Sequence, residues 1–177
     1  AVANGAVSIA VSALVTDAQG NPIAGSSVTI EATGTGNTIT PSSGVTGADG
    51  RLVGKLRSTK AELKTIDARV GGVLIVQTRN VTFNAGPFSA AASDVQVDKT
   101  TVVANGIDSV AVTGLVTDAY VNTISGSAVT VEATGGPNTI VPPSGLSGSD
   151  GRMVAKVKST KAELKTVSAR VGATLIT

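Results

Sequence analysis

The sequence has no cysteine and no histidine among its 177 residues. Without cysteine it has no disulfide bond, no thiolate nucleophile and no thiolate metal ligand. Without histidine it lacks the commonest general base and the commonest transition-metal ligand. The bases that remain are Lys, Asp and Glu, and no Ser-x-x-Lys sequence of the β-lactamase kind occurs. These absences predict a protein that is not an enzyme, with no catalytic residues, no cofactor and no metal site.

Aromatic side chains are almost missing. There is no Trp, and the only rings belong to Phe83, Phe88 and Tyr120. The formal net charge is only +2, so the chain offers neither a dense basic stripe nor stacking platforms for nucleic acid. Aromatic anchors also dominate binding hot spots, which disfavours direct ligand binding through a loop such as Gly34–Gly44. The sequence therefore predicts no nucleic-acid partner.

Long apolar runs are absent too. No stretch of 18 apolar residues is available to span a membrane, and no basic-then-apolar signal peptide opens the chain. The expectation is no direct membrane insertion, with any export or anchoring signal outside this fragment. Gly34-Thr35-Gly36 is read as a turn, since a phosphate-binding loop needs a following Lys and helix.

What the chain does have is an internal repeat. Ala3-Asn4-Gly5 returns as Ala104-Asn105-Gly106, an offset of 101 residues. At the same offset the eight residues STKAELKT of Ser58–Thr65 return unchanged at Ser159–Thr166. Roughly two-thirds of positions 3–76 match their counterparts without a gap. Each copy has the length of a small domain, so we predict two domains, residues 1–88 and 89–177.

The two copies differ at their ends. The second is preceded by a strand-like stretch, Ser93–Gly106, and the first has no counterpart of Asp94–Thr101. The second in turn has no counterpart of Gln77–Phe83. We therefore expect domain 1 to lack its first strand and domain 2 its last. Two explanations stay open: a window cut from a longer tandem array, or strands supplied by neighbouring molecules at open sheet edges.

Period-2 alternation predicts the strands. Val28 and Ile30 alternate with Thr29 and Glu31, and Leu52 and Leu56 lie opposite a polar face of β-branched and basic residues. Similar alternation is predicted for Ser8–Ala18, with a shift near Ala13 that turns Leu14 inward, and for Thr65–Val70, which places Ile66, Ala68 and Val70 on one face. Turns are predicted at residues 17–22, 34–44 and 47–50. Lys60–Lys64 is interpreted as a connection, because five residues are too few to form a helix alone.

The order of these motifs resembles a known family. VTDA-x-GNPIAG, SVTIEA, TGADGR and STKAELKT…ARV are similar to the bacterial immunoglobulin-like domains of the invasin and intimin type, called group 1. The resemblance implies an all-β fold of two tandem immunoglobulin-like β-sandwich domains arranged end to end across the short, Pro-containing junction Asn84–Ser93. It implies a structural stalk of a bacterial cell-surface adhesin, extracellular, whose partners are neighbouring domains of the same array. The alternative is a subunit of an extracellular filament or phage virion, self-associating by strand exchange through open sheet edges.

The second copy departs from the motif at one turn. Gly20 and Pro22 of the first copy become Val121 and Thr123. The turn thereby loses a glycine, which permits a positive φ, and a proline, whose ring fixes φ. We therefore predict that the turn at Tyr120–Ile124 differs in conformation from the turn at Gln19–Ile23.

Three chemical alternatives remain open. Asp94, Asp98 and Asp108 lie near the junction, where carboxylates could bind calcium, although they are not clustered in sequence. A Lys–Asn crosslink would need a buried lysine, and Lys55 is predicted on the polar face. Finally, a row of cations in each copy is interpreted as an exposed, solubilising edge rather than as an anion-binding site. The rows consist of Arg51, Lys55, Arg57, Lys60 and Lys64, and of Arg152, Lys156, Lys158, Lys161 and Lys165.

Overall fold

The computed structural model describes residues 1–176, which divide after Ala85 into unit 1 and unit 2. Both units are built from antiparallel strands, with one short 3₁₀ turn at Ala90–Ala92. This confirms the predicted all-β class. The division lies N-terminal to the predicted boundary after Phe88. Phe88 goes with unit 2 because it bridges to Asp118 and packs against the core of that unit.

Unit 1 contains two sheets. The smaller has the order β1-β5-β3, and the larger has the order β4-β2-β6-β7 with β8 also paired to β6. Its strands are β1 (Ser8–Leu14), β2 (Ser27–Ala32), β3 (Asn37–Thr40), β4 (Ser43–Val45), β5 (Arg51–Ser58), β6 (Leu63–Val70), β7 (Val73–Leu74) and β8 (Arg79–Thr82).

Unit 2 repeats this plan with four strands in each sheet. The orders are β12-β14-β10-β9 and β13-β11-β15-β16. Its strands are β9 (Asp94–Val97), β10 (Val110–Leu115), β11 (Ala128–Ala133), β12 (Asn138–Val141), β13 (Ser144–Leu146), β14 (Arg152–Ser159), β15 (Val167–Val171) and β16 (Thr174–Leu175).

The offset of the repeat also relates the strands of the two units. β1 to β7 correspond to β10 to β16, whereas β8 and β9 have no counterpart among the strands of residues 1–176. β8 adds a fifth strand to one sheet of unit 1, and β9 adds a fourth to the other sheet of unit 2. These are the two segments that the sequence comparison marked as unmatched.

Each unit has its own apolar core between its sheets, as the alternation predicts. Val28, Ile30, Leu52 and Leu56 are buried in unit 1, while their strand neighbours Thr29 and Val53 are exposed. Phe83 closes the end of this core after β8. The cores rely on Val, Ile, Leu and Ala, because those residues fill the inward-facing positions of nearly every strand.

Three sequence predictions are wrong in detail. β1 keeps one alternation throughout, so Ala13 is buried and Leu14 is exposed, without the predicted shift. The predicted turn over residues 34–44 contains β3, whose Ile39 packs against the core and whose residues pair with β5. The connection predicted at Lys60–Lys64 ends early in unit 1, because β8 pairs with Leu63–Ile66 and draws those residues into β6.

Candidate functional site

A buried lysine is the most unusual group in unit 1. The Lys64 side chain is fully buried, and its Nζ donates to Glu62 Oε1 at 2.8 Å and to the carbonyl oxygen of Thr35 at 2.9 Å. Glu62 Oε1 also accepts from the Thr35 backbone N–H at 2.8 Å. The hydrogen bond from Lys64, followed by the one from Thr35, lowers the pKa of the Glu62 carboxyl. This arrangement ties the loop after β2 to the start of β6.

Gly34 is required where this loop crosses the carboxylate. Its φ is +79°, and a Cβ at this position would overlap Glu62 Oε1. Gly135 faces Glu163 in the same way in unit 2, with a φ of +69°. Gly34-Thr35-Gly36 therefore forms a structural loop, in agreement with its interpretation as a turn.

The matching cluster of unit 2 is more open. Lys165 has 14% of its side chain exposed, and its Nζ lies 2.7 Å from Glu163 Oε1. Lys161 approaches the other carboxylate oxygen, Oε2, at 2.7 Å. Hydrogen bonds from Lys161, Lys165 and the Gly136 N–H lower the pKa of Glu163 to about 2. The two lysines thus hold a carboxylate that stays ionised well below neutral pH.

The rows of cations are therefore not uniform surfaces. Arg51, Lys55 and Arg57 are exposed along β5 as predicted, but Lys64 is buried and does not belong to an exposed row. The alternation of β6 contains the signal for this, because Lys64 lies on the same face as Ile66 and Ala68. Continuing the period-2 alternation of β6 one step further toward the N-terminus predicts that Lys64 points into the core.

The repeated VTDA motif builds a turn around its aspartate. Asp17 Oδ1 accepts from the backbone N–H groups of Gln19 and Asn21 at 2.9 and 2.8 Å. Its Oδ2 accepts from the Asn21 side-chain amide at 2.9 Å. These bonds lower the pKa of Asp17, the Asn21 side-chain bond having the largest effect.

The second copy makes the same turn, so the predicted difference is wrong. Asp118 Oδ1 accepts from the N–H groups of Tyr120 and Asn122, and the Asn122 amide donates to Asp118 Oδ2. Val121 adopts a φ of +61°, in the region where Gly20 has +87°. The aspartate and asparagine carry the turn in both copies, and Val121 accepts the left-handed conformation that they impose.

The surroundings of the two turns differ greatly. Thr117, Asp118 and Asn122 are buried in unit 2, whereas Thr16 and Asn21 are exposed in unit 1. The cover in unit 2 is the segment 86–98, which we call the lead-in. Its Gly86 N–H donates to Asp118 Oδ2 at 2.7 Å. The pKa of Asp118 is lowered although desolvation by burial, its largest single influence, acts to raise it; the hydrogen bonds from Asn122, Gly86 and Tyr120 together prevail.

The three aspartates considered for calcium have separate local roles. Asp94 accepts from the Gln96 amide, Asp98 from the Ala111 N–H, and Asp108 from the Asn105 amide. In the described part of the chain, no three acidic side chains are grouped so that they could hold a metal ion. Nor does any helix among residues 1–176 have the length and apolarity to cross a membrane.

Two cavities lie where the units differ. One, of about 670 Å³, runs along the outer edge of β1 in unit 1 and is lined by Ala10, Ser12, Thr16, Ile30 and Ile75 among others. The other, of about 630 Å³, lies in unit 2 beside Leu164, Val110 and Val157. Leu164 is 97% exposed there, against 61% for Leu63, which β8 partly covers. Each cavity corresponds to the position of a strand present in the other unit.

Both halves of the chain match the same protein family. The family model described as bacterial Ig-like domain (group 1) matches residues 1–84 and, a second time, residues 92–177. The chain belongs to this family. The resemblance carried by the VTDA, SVTIEA and STKAELKT motifs is thereby confirmed for both copies. A search of curated proteins found no match.

Three solved structures of other proteins have a similar fold. The chain is 27% identical to invasin, described as a bacterial integrin-binding protein, with a TM-score of 0.54 over 100% of this chain and 35% of that one. Against InvD of Yersinia pseudotuberculosis the values are 22% identity and a TM-score of 0.66, over 99% and 51%. Against the Escherichia coli adhesin FdeC they are 23% and 0.52, over 99% and 59%. The chain thus spans between about a third and three-fifths of these structures.

Proposed function

We propose that this chain is a non-catalytic stalk module that holds another domain away from a bacterial surface. The observation that carries the proposal is the tandem match of two group 1 Ig-like domains, each with its own core. Repeated domains that fold separately let reach grow with copy number. The similar structures of invasin and of an adhesin support an extracellular location on a bacterium.

Four carboxylates of the described residues have a structural use and do not have the raised pKa of a general acid. Asp17, Glu62, Asp118 and Glu163 all have lowered pKa values, because hydrogen bonds hold their ionised forms. A general acid working near neutral pH needs the opposite shift. Each of these four groups also holds a loop or turn in place, which is a structural use of charge.

A surface-display experiment tests the stalk. The chain is placed once, twice or three times between a bacterial anchor and a fluorescent domain, and the height of the fluorophore above the membrane is measured. We expect height to increase in proportion to copy number. The matched control is a Gly/Ser linker of equal length, whose end-to-end distance grows only with the square root of length. Equal heights for the chain and the linker would contradict the proposal.

Assembly by strand exchange remains a second candidate. It is favoured by the cavities at the outer edge of β1 and beside Leu164, since an open sheet edge is a template for pairing with another chain. The test is the molar mass of the purified chain by light scattering over a wide concentration range. A mass that rises with concentration supports assembly, and a constant monomer mass contradicts it.

A further inference from the structure

The exposed cations of each unit lie on an inner strand. Arg51, Lys55 and Arg57, which we call the β5 cations, point outward because every second residue of β5 is buried. β5 runs between β1 and β3, and its counterpart β14 runs between β12 and β10. Lysine guards a sheet against edge-to-edge pairing from an edge strand. The predicted role of a solubilising edge therefore does not account for these cations.

The positions beside the β5 cations carry no acidic side chain. The strands β1, β3 and β5 contain no Asp or Glu. The outward neighbours are exposed and mostly small: in the strand register Ser8 and Thr38 flank Arg57, Ala10 and Thr40 flank Lys55, and Leu14 lies beside Arg51. This face, which we call the basic face, therefore combines three cations with exposed hydroxyl groups.

The β5 cations form no ion pair with another residue of the described range 1–176. Arg51 Nη1 donates to Ser12 Oγ at 3.4 Å, which is a contact with a neutral group. The outer face of the other sheet differs, because there Arg69 Nε lies 3.3 Å from Glu31 Oε2. Unit 1 thus pairs an outward arginine on one sheet and leaves the three cations of the other sheet unpaired.

Unit 2 repeats this pattern with a further strand in place. Arg152, Lys156 and the half-buried Lys158, which we call the β14 cations, match the β5 cations at the offset of 101 residues. β9 places Asp94 opposite Leu115, which in turn lies opposite Arg152. The β14 cations nevertheless form no ion pair within residues 1–176. The unpaired cations are therefore a property of the repeat and do not depend on what lies beyond β1 or β10.

The β5 cations are arranged in a line. Outward positions next to each other on a strand are about 6.7 Å apart, so the line from Arg51 to Arg57 is about 20 Å long. Exposed Val53 occupies the position between Arg51 and Lys55. Lys55 and Arg57 carry like charges at adjacent positions, and an anion that bridges them replaces repulsion with attraction. An extended ligand with anionic groups along its length fits this arrangement better than a single small anion.

We propose that the β5 cations, and the β14 cations in the same way, bind a linear acidic polysaccharide along the strand. Its carboxylate groups contact the cations, and the guanidinium groups of Arg51 and Arg57 can each hold a carboxylate through two hydrogen bonds. Its sugar hydroxyls bond with exposed hydroxyl groups such as those of Ser8 and Thr40. The basic face has no aromatic ring on which a base would stack, which favours a polysaccharide over single-stranded nucleic acid. This binding goes beyond the stalk function and does not depend on it.

An oligouronate titration tests the binding directly. The probe is hexagalacturonate, which carries a carboxylate on each sugar, and it is added to the full 177-residue chain at low salt while backbone amide signals are followed by NMR. We expect saturable shifts along β5 and β14 that vanish at high salt, because exposed charges are screened. The matched control is the same oligosaccharide with its carboxylates methyl-esterified, which should cause no shift. No shift at millimolar hexagalacturonate, or equal shifts from the ester, would overturn the proposal.

Charge-matched variants locate the site. Lys55→Gln combined with Arg57→Gln should raise the Kd of unit 1 for the probe about tenfold, which is about 1.4 kcal/mol. Unit 2 should keep its own Kd and serves as the internal reference. The control combines Arg69→Gln with Arg170→Gln, which also lowers the formal net charge from +2 to zero but lies on the other sheets, and it should leave both Kd values unchanged. Equal weakening by the two variants, or no weakening by the first, would contradict the assigned contacts.

Other polyanions are tested in parallel. Vesicles of phosphatidylglycerol and a single-stranded oligothymidylate replace the oligouronate in the same titration. Stronger binding of the oligouronate than of both supports the proposal, and stronger binding of either the vesicles or the oligonucleotide overturns it. The height of a stalk in the display experiment does not depend on what its side binds. The two proposals can therefore fail separately.

Discussion

At the scale of single residues, Lys64 shows how far the sequence predicts burial. The alternation of β6 is readable from Ile66 to Val70, but the sequence predicts a solvated lysine at the next inward position, because charged side chains are rarely buried. Its burial depends on Glu62 and on the Thr35 carbonyl, which is 29 residues away in sequence. Glu62 is only two residues away, but the Thr35 carbonyl is brought to Lys64 by the fold, and no local pattern indicates it.

The backbone conformation of Val121 leads to a testable prediction. It holds a left-handed φ of +61°, which is costly for a β-branched residue. Val121→Gly should therefore stabilise unit 2 by about 1 kcal/mol, measured by denaturant unfolding followed at unit 2.

The reverse change in unit 1 is the matched control. Gly20→Val should destabilise unit 1 by about 1–2 kcal/mol through conformation alone. Apart from the adjacent residues, no heavy atom lies within 4 Å of a Cβ at position 20, so the Cβ itself meets no steric clash. If Gly20→Val were neutral, the left-handed conformation would not be what distinguishes these turns.

Glu163 gives a prediction about pH. Its pKa falls from 4.5 in a free side chain to about 2 in the fold, so folding favours the ionised form. The stabilisation is fully present above pH 4.5 and is lost as pH falls toward 2. The thermal midpoint of unit 2 should drop over this interval, and Glu163→Gln should flatten that drop. A parent chain and variant with parallel pH profiles would contradict the assignment.

At the scale of elements, the sequence predicts strands better than their partners. The alternation in Ser27–Ala32 and Arg51–Ser58 identifies β2 and β5 and their inward faces correctly. The sequence pattern does not predict β3, because the strand lies in a stretch rich in Gly, Thr and Ser in which only Ile39 marks an inward face. Short edge strands take their structure from the neighbour they pair with, here β5, and carry little signal of their own.

The lead-in can be tested as an element within unit 2. Ser93→Ala removes the acceptor of the buried Thr117 N–H and should destabilise unit 2 by about 1–3 kcal/mol. The control is Ser149→Ala at an exposed turn position, which should change stability by less than about 0.5 kcal/mol. Chemical denaturation with residue-resolved amide exchange distinguishes the units, and the stability of unit 1 should not change. Equal effects of the two substitutions would show that Ser93 does not hold the lead-in.

At the scale of the whole molecule, the repeat predicted the number of domains but not their relative placement. The offset of 101 residues and the motifs identify two group 1 domains, which the family matches confirm. The end-to-end arrangement stays a prediction. Chain order alone leaves the angle across a junction undetermined, because it depends on contacts that the repeat does not encode.

Separate cores predict separate unfolding. Leu56 is fully buried in unit 1, so Leu56→Ala should destabilise that unit by about 2–5 kcal/mol. The midpoint of unit 2 should stay in place. Val53→Ala, on the exposed face of the same strand, is the matched control. The measurement is thermal unfolding with residue-resolved exchange, and a shift of both units by Leu56→Ala would contradict independent folding.

The identical eight-residue block has a consequence for how strand pairing can be measured. In Ser58–Thr65 its last three residues belong to β6 and face β8, whereas in Ser159–Thr166 the same three residues precede β15. Composition, local propensity and intrinsic exchange rates are therefore the same for both. Any difference in exchange protection between the Lys64 and Lys165 amides therefore reports only the strands and side chains that surround them in the fold. One sample of this chain thus contains the probe and its reference, at the same temperature, pH and concentration.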